Sequence, residues 1–152
     1  MLSNLHLLRA IICLEGSHQT VQTIPRSVLL EEVFEQARDI AFRTGHPLSS
    51  AHLLLAFFVI RNPAEQILLE QGVNEEVLLS VMGAKDEEAE NSAQGLNAFA
   101  ARCASRHGHT ELGCLHLLSA MVDDSKSMAR HLLSRAGIDH RSFSLHLADV
   151  LT

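Results

Sequence analysis

The sequence is short of the residues on which sheet-rich folds depend. It has no tryptophan and no tyrosine, only six phenylalanines, and only eight glycines and three prolines. Strands are rich in aromatic and β-branched side chains, and the turns between them need frequent glycine or proline. The shortage favours an all-α fold. With 152 residues, 47% of them hydrophobic, the chain is long enough to bury the core of one domain.

Positive charge is also scarce. Twelve lysines and arginines stand against eighteen aspartates and glutamates, which gives a formal net charge of −6. The sequence has no basic stripe that could follow a phosphate backbone, so we expect no nucleic-acid partner. The acidic residues are interpreted as a solvated surface.

The sequence shows no sign of a disulfide framework or a membrane segment. Cys13, Cys103 and Cys114 are odd in number and lack C-x-x-C spacing, so we interpret them as small buried residues in a reducing compartment. The longest apolar run, residues 53–60, is too short to span a bilayer. The N-terminus lacks the basic flank and the cleavage site of a signal peptide. We expect a cytoplasmic protein with no membrane partner.

Motifs for catalysis are missing as well. The chain has no G-x-x-x-x-G-K-[S/T] phosphate loop, no G-x-S-x-G nucleophile elbow and no cysteine in a nucleophile signature. We therefore predict that the protein is not an enzyme, has no catalytic residue and binds no cofactor.

An internal duplication organises the chain. The stretch "ARDIAFRTGHPLSSAHLLLAFF", from residue 37, aligns with "AARCASRHGHTELGCLHLLSAM", from residue 100, with one inserted residue. Identical pairs include Ala37/Ala100, Ala41/Ala104, Gly45/Gly108, His46/His109, His52/His116, Leu54/Leu118 and Ala56/Ala120. Self-similarity of this kind indicates repeated structural units. We predict repeat one over 24–82, a charged linker over 83–95 and repeat two over 96–151.

Each repeat has the pattern of four helices, and the two are expected to pack as one pseudo-symmetric domain, 24–152. The first helix is predicted to begin near Pro25, a residue suited to a first helical turn, and to end at Gly45. The second, capped by Ser49 or Ser50, is apolar nearly all round and should be buried. Asn62 and Asn74 are predicted to begin the third and fourth. Residues 1–23 form an extra N-terminal segment that could hold a further helix.

The segments "TIPRSVL", "TGHPLSSAHLLLAFF", "RHGHTELGCLHLLSAM" and "LLSRAGI" together resemble the tandem N-terminal domain of the Clp family of AAA+ protein unfoldases. The resemblance covers residues 24–151. It implies an all-helical pair of four-helix repeats that recruits protein substrates or adaptor proteins to an ATPase ring, in cis or in trans. The alternative is a free-standing regulatory or structural protein that uses the fold to dock onto a Clp complex or another partner.

The resemblance also gives candidate contact residues. It places the binding surface where the repeats meet or around the starts of the second helices, which points to Ser50, Ala51, Cys114 and Leu115. In the Clp branch that recognises phosphorylated arginine, an acidic residue precedes each histidine of this pattern. Ala51 and Leu115 stand in its place, so we expect phosphoarginine to bind weakly or not at all.

The two histidines that head the second helices, His52 and His116, allow two interpretations. Each could be structural, with its imidazole bonded to the backbone of the preceding loop. A metal- or small-molecule-binding helical protein is the remaining alternative, with His107, His109 and His116 as the best cluster. Their spacing does not match that of usual zinc sites, so we predict structural histidines and no metal.

Overall fold

The structure is a computed structural model that describes residues 24–83 and 92–152. The predicted N-terminal segment, 1–23, and most of the predicted linker lie outside the described residues. Within them are eight α-helices and no strand beyond a single isolated bridge, which confirms the all-α prediction. The helices are α1 Val28–Thr44, α2 Ser50–Ala56, α3 Pro63–Glu70, α4 Glu75–Val81, α5 Ser92–Arg106, α6 Cys114–Asp123, α7 Met128–Arg135 and α8 His140–Leu151.

Local sequence signals account for most helix boundaries. The side chains of Asn62 and Asn74 accept hydrogen bonds from backbone N–H groups in the first turns of α3 and α4, as predicted. A glycine with positive φ follows each of helices α1 and α5: Gly45, directly after Thr44, has a φ of 73°, and Gly108, two residues after Arg106, has a φ of 72°. Glycine adopts this left-handed conformation without the steric cost that a Cβ brings. The two repeats therefore end their first helices by the same device.

Helix α1 begins within the segment "TIPRSVL", as predicted, but Pro25 is not in its first turn. Pro25 lies before the helix, which begins at Val28, and the Ser27 hydroxyl caps it by accepting a hydrogen bond from the Leu30 N–H. The backbone at 25–27 instead pairs with repeat two. The Pro25 carbonyl accepts from the Leu112 N–H, and the Ser27 N–H donates to the Leu112 carbonyl, both at 2.8 Å. These two bonds keep the segment extended, so the proline cannot enter a helical turn.

Helix α5 begins at Ser92, inside the range predicted as linker. The difference follows from burial: Ala93, Leu96 and Ala100 are all buried, so an apolar face is already needed at the first turn. Gly95 is exposed on the opposite side and is tolerated at a modest cost in helix propensity.

The second helix of each repeat forms the centre of the molecule. Every residue of α2 is buried, and in α6 only Leu115 and Asp123 are not. Leu54 and Leu118 have no exposed surface, which confirms the prediction that the second helices are buried.

The two repeats share one core and are related by pseudo-symmetry. Helix α2 packs against α7, and the equivalent α6 packs against α3. Helix α2 also contacts α5, α4 contacts α7, and a single cluster of buried side chains runs through both repeats. None of the helices in the described ranges is long and apolar enough to cross a membrane.

Candidate functional site: the histidine-capped starts of the central helices

Each central helix begins with a histidine that caps it. His52 is the third residue of α2, and its Nδ1 accepts a hydrogen bond from the Ser49 N–H at 3.0 Å. His116 is the third residue of α6, and its Nδ1 accepts from the Gly113 N–H at 2.9 Å. In the common capping box a glutamate or glutamine at this position reaches back to the same N–H group. The histidines take over that role, which confirms their predicted structural function.

The cap fixes where the proton of His116 lies. Because Nδ1 accepts from a backbone N–H, it must carry a lone pair, and the proton of the neutral ring is on Nε2. Nε2 lies 2.8 Å from Nδ1 of His109, so it donates to that atom. The Gly113 N–H, His116 and His109 thus form a relay of two hydrogen bonds in one direction.

Protonation of His116 is disfavoured. Burial, and to a smaller degree repulsion from the positively charged forms of His109 and His107, together lower the pKa of His116 from 6.5 to about 4. The ring is 6% exposed. At neutral pH it is therefore uncharged, which is the form that the cap requires.

The structure brings together the three histidines proposed as a metal cluster. The rings of His107 and His109 stack with centroids 5.9 Å apart, and those of His109 and His116 meet edge to face at 5.0 Å. A metal ion needs a free lone pair on each ligand nitrogen. His116 has none to offer while it caps α6. Across residues 24–83 and 92–152, no three or more His, Cys, Asp or Glu side chains are grouped so as to hold a metal.

In repeat one the cap is present, and the histidine that precedes it is placed differently. His46 is the equivalent of His109, but it is exposed, and its ring centroid lies 6.2 Å from that of His52. Counted from the aligned glycines, Gly45 and Gly108, its loop is one residue shorter than that of repeat two. The hydroxyl of Ser49 lies 2.9 Å from Nδ1 of His52, the same nitrogen that accepts from the Ser49 N–H. The caps are thus common to both repeats, and in repeat two the capping histidine is also bonded to a second histidine.

Ser50 has a structural role between the repeats. It is fully buried, and its hydroxyl accepts a hydrogen bond from the Ala129 N–H at 2.8 Å and one from the Ser127 hydroxyl at 3.3 Å. The first residue of α2 thereby satisfies a backbone donor in the first turn of α7, which has no partner within its own helix. Ala51, the next residue, is 3% exposed.

Cys114 occupies the position in α6 that Ser50 occupies in α2, and it too is buried. Burial raises the pKa of the Cys114 thiol from 9.0 to about 11, partly offset by a backbone hydrogen bond. The thiol is therefore protonated at neutral pH and is a poor nucleophile. Leu115 is half-buried and is the only one of the four candidate contacts that reaches the surface. No comparison tests these four residues, so their contact role stays a prediction.

Sequence reasoning missed Arg26, which connects the repeats. Its Nε donates to Oδ1 of Asn97 at 3.0 Å, Nη1 forms an ion pair with Glu31 at 3.3 Å, and the guanidinium lies 3.7 Å from the ring centroid of Phe34. No periodicity marks such a residue, because the partner that joins the repeats, Asn97, is 71 positions away in the sequence.

Phe42, which is 84% exposed, was not predicted from the sequence either. In this case a signal was present. Phe42 lies beside the buried stripe of α1, formed by Leu30, Val33, Ala37 and Ala41, and is not part of it.

Comparison with known proteins supports the resemblance read from the sequence. Residues 89–152 match the family model of the Clp repeat (R) N-terminal domain, a range that covers repeat two. A search of curated proteins found no match. Among solved structures, the N-terminal domain of the caseinolytic protease associated chaperone ClpD from Arabidopsis thaliana is similar, with a TM-score of 0.68 and 15% identity. The similarity covers 84% of this chain and 97% of that one. At this identity it shows a shared fold, that of a double-repeat Clp N-terminal domain.

Proposed function

We propose that this chain is a protein-binding module that recruits protein substrates or an adaptor protein to a Clp-type AAA+ unfoldase, and that it has no catalytic activity of its own. The observation that carries the proposal is the double repeat. Its second half matches the Clp repeat family model, and the whole has the fold of a Clp-associated chaperone domain. The ATPase ring belongs either to the same polypeptide, in cis, or to a separate one, in trans.

The chemistry of the site supports binding over catalysis. The reactive side chains near the starts of the central helices are committed to the scaffold. His116 uses both ring nitrogens in hydrogen bonds, and Cys114 is a buried thiol whose pKa is raised. Ala51 and Leu115 bring no carboxylate to the positions where the phosphoarginine-recognising branch has one. The surface that remains available for contact is at Leu115, and it is apolar and uncharged.

We place the contact surface around the starts of α2 and α6. The buried residues Ser50, Ala51 and Cys114 fix the backbone there, and the side chain of Leu115 contacts the partner. Affinity is modest, because a recruitment domain has to release its client and a small surface buries a limited area. An interface well below about 1,200 Å² in total is typical of transient partners.

A chimaera tests recruitment directly. Residues 1–152 are fused to a Clp-type ring from which its own N-terminal domain has been removed, and degradation of carboxymethylated lactalbumin, a permanently unfolded protein, is followed with the partner peptidase. We expect degradation to be faster than with the truncated ring. Equal rates, with ATPase activity intact, would refute the proposal.

Two matched variants locate the surface in the same assay. Leu115→Ser is expected to remove the gain in rate, whereas Leu145→Ser, at a position 69% exposed on α8, should retain it. Thermal melts of both variants check that they are folded. A Leu115→Ser chimaera that is folded and as active as the parent would place the contact elsewhere.

A further inference from the structure

The outward face of α1 combines large apolar groups with acidic ones. The face consists of Val28, Glu32, Glu35, Asp39 and Phe42, here called the α1 stripe. Alternating spacings of four and three residues put these side chains on one side of the helix, and all five are exposed. Val28 and Phe42 are 77% and 84% exposed, at the two ends of the stripe. Single exposed apolar side chains are common, so the face is notable for the combination of two large apolar groups with three carboxylates between them.

The fold itself does not require this face, because the equivalent helix of repeat two lacks it. In the alignment of the repeats, Ala98 stands for Glu35, Arg102 for Asp39 and Ser105 for Phe42. All three replacements are exposed. A position that accepts serine in one repeat has no structural need for phenylalanine in the other.

The outward faces of α1 and α5 are opposite in charge. Helix α1 has four carboxylates against two arginines, a net charge of −2, and α5 has two arginines and no carboxylate, a net charge of +2. The contrast extends to the repeats as a whole. Residues 24–83 have eight acidic and four basic side chains, a net −4, whereas residues 92–152 have five acidic and six basic, a net +1.

The two faces also differ in the size of their side chains. The α5 stripe consists of Gly95, Ala98, Arg102, Ser105 and Arg106, all exposed. Gly95, Ala98 and Ser105 are small, and a helix surface built from small residues lets a second helix approach closely. Arg102 lies with its guanidinium 4.9 Å from the ring centroid of Phe99, so its positive charge is held beside an apolar ring.

We propose that the α1 stripe of one copy of this chain binds the α5 stripe of a second copy. Phe42 and Val28 pack on the small residues of α5, and Glu32 and Glu35 face Arg102 and Arg106. Neither glutamate is in an ion pair with any residue that the structure describes, so both are available to a partner. Charge complementarity sets the register of such a contact and suppresses wrong pairings.

The contact is weak, because it joins only one helix face from each copy and its charges stay near solvent. Interfaces below the standard size are transient, and exposed ion pairs contribute little each. We expect a dissociation constant between about 0.1 and 1 mM.

Sedimentation equilibrium on the full 152-residue chain, at low ionic strength and from about 20 µM to 1 mM, tests the proposal. The average mass of the parent should rise above the 16.7 kDa of one chain. Phe42→Ser and Arg102→Asp each install the residue that the other repeat has at the equivalent position. Both should weaken association about tenfold or more, as loss of an anchoring contact residue does. Leu145→Ser, the matched exposed leucine on α8, should associate like the parent.

A mixture of the two variants locates the faces. The Arg102→Asp chain keeps its α1 stripe and the Phe42→Ser chain keeps its α5 stripe. Titration of the ¹⁵N-labelled Arg102→Asp chain with the unlabelled Phe42→Ser chain should shift amide resonances of α1, and the reverse labelling should shift those of α5. Shifts confined to other helices would overturn the proposal.

Two further outcomes of the sedimentation series would overturn it. The first is variants that associate like the parent. The second is a constant mass of 16.7 kDa for the parent at every concentration. The same result is expected if residues 1–23 or a different protein cover these faces. Recruitment by the chimaera is measured separately, so either proposal can fail while the other stands.

Discussion

Replacing His116 by glutamine should remove part of the acid sensitivity of the protein while preserving the cap. Glutamine is the other common residue at this position of a capping box. Its carbonyl can accept from the Gly113 N–H, and its amide can donate to His109, as the imidazole does now. Unlike histidine, it has no proton to gain. The substitution therefore separates the titration of His116 from its hydrogen bonds.

The sign of the effect follows from the lowered pKa. In the unfolded chain His116 takes up a proton as the pH falls through 6.5, while in the folded chain it does so only near 4. Acid therefore favours the unfolded state. The stabilising contribution is complete above pH 6.5, declines between 6.5 and 4, and is absent below that range. The shift from 6.5 to about 4 corresponds to about 3 kcal/mol. We expect about 2–3 kcal/mol, because water near the half-buried His109 screens part of the repulsion.

Urea unfolding between pH 4 and 7 measures this contribution. Far-UV circular dichroism is the suitable probe, because the chain has neither tryptophan nor tyrosine. The free energy of unfolding of the parent should fall by about 2–3 kcal/mol more than that of His116→Gln over this range. His146→Gln, at an exposed position on α8, is the control and should follow the parent. Equal pH dependence for the parent and His116→Gln would contradict the buried, neutral histidine described above.

Three further predictions concern the core and the two helix starts. Leu54→Ala and Leu118→Ala should each lower the free energy of unfolding by about 2–5 kcal/mol, and variants that melt within a degree of the parent would show that these leucines are not core. With a pKa of about 11, Cys114 should react with a thiol reagent at pH 8 far more slowly in the native protein than in urea, and equal rates would disprove its burial. Calorimetry should detect little or no binding of free phosphoarginine, since Ala51 and Leu115 provide no carboxylate, and tight binding would refute that reasoning.

Features set by short stretches of sequence were predictable. An apolar run behind a serine cap indicated the buried second helix, and asparagine and glycine indicated the boundaries at Asn62, Asn74 and Gly45. These signals are local: each depends on a side chain bonding to its own turn, or on the conformations that one residue allows. The duplication strengthened them, because the same signals recur in repeat two.

Contacts between distant parts of the chain were not predictable in the same way. Pro25 suits a first helical turn, but its carbonyl is paired with Leu112, 87 positions further along. Ser50 was chosen as a contact residue, yet its hydroxyl bonds to the backbone of Ala129. In both cases the tertiary partner overrides a local preference, and nothing within a few residues reveals the partner. The relay from His116 to His109 depends in the same way on the path of a loop.

Calorimetric titration of the purified chain with carboxymethylated lactalbumin, and with native lactalbumin for comparison, tests the proposed function most directly. A recruitment module should bind the unfolded form, without any nucleotide, with a dissociation constant of about 1 to 100 µM and should ignore the folded form. Addition of ATP should change neither result. Absence of measurable binding to the unfolded protein at any accessible concentration, or equal binding to both forms, would contradict the account.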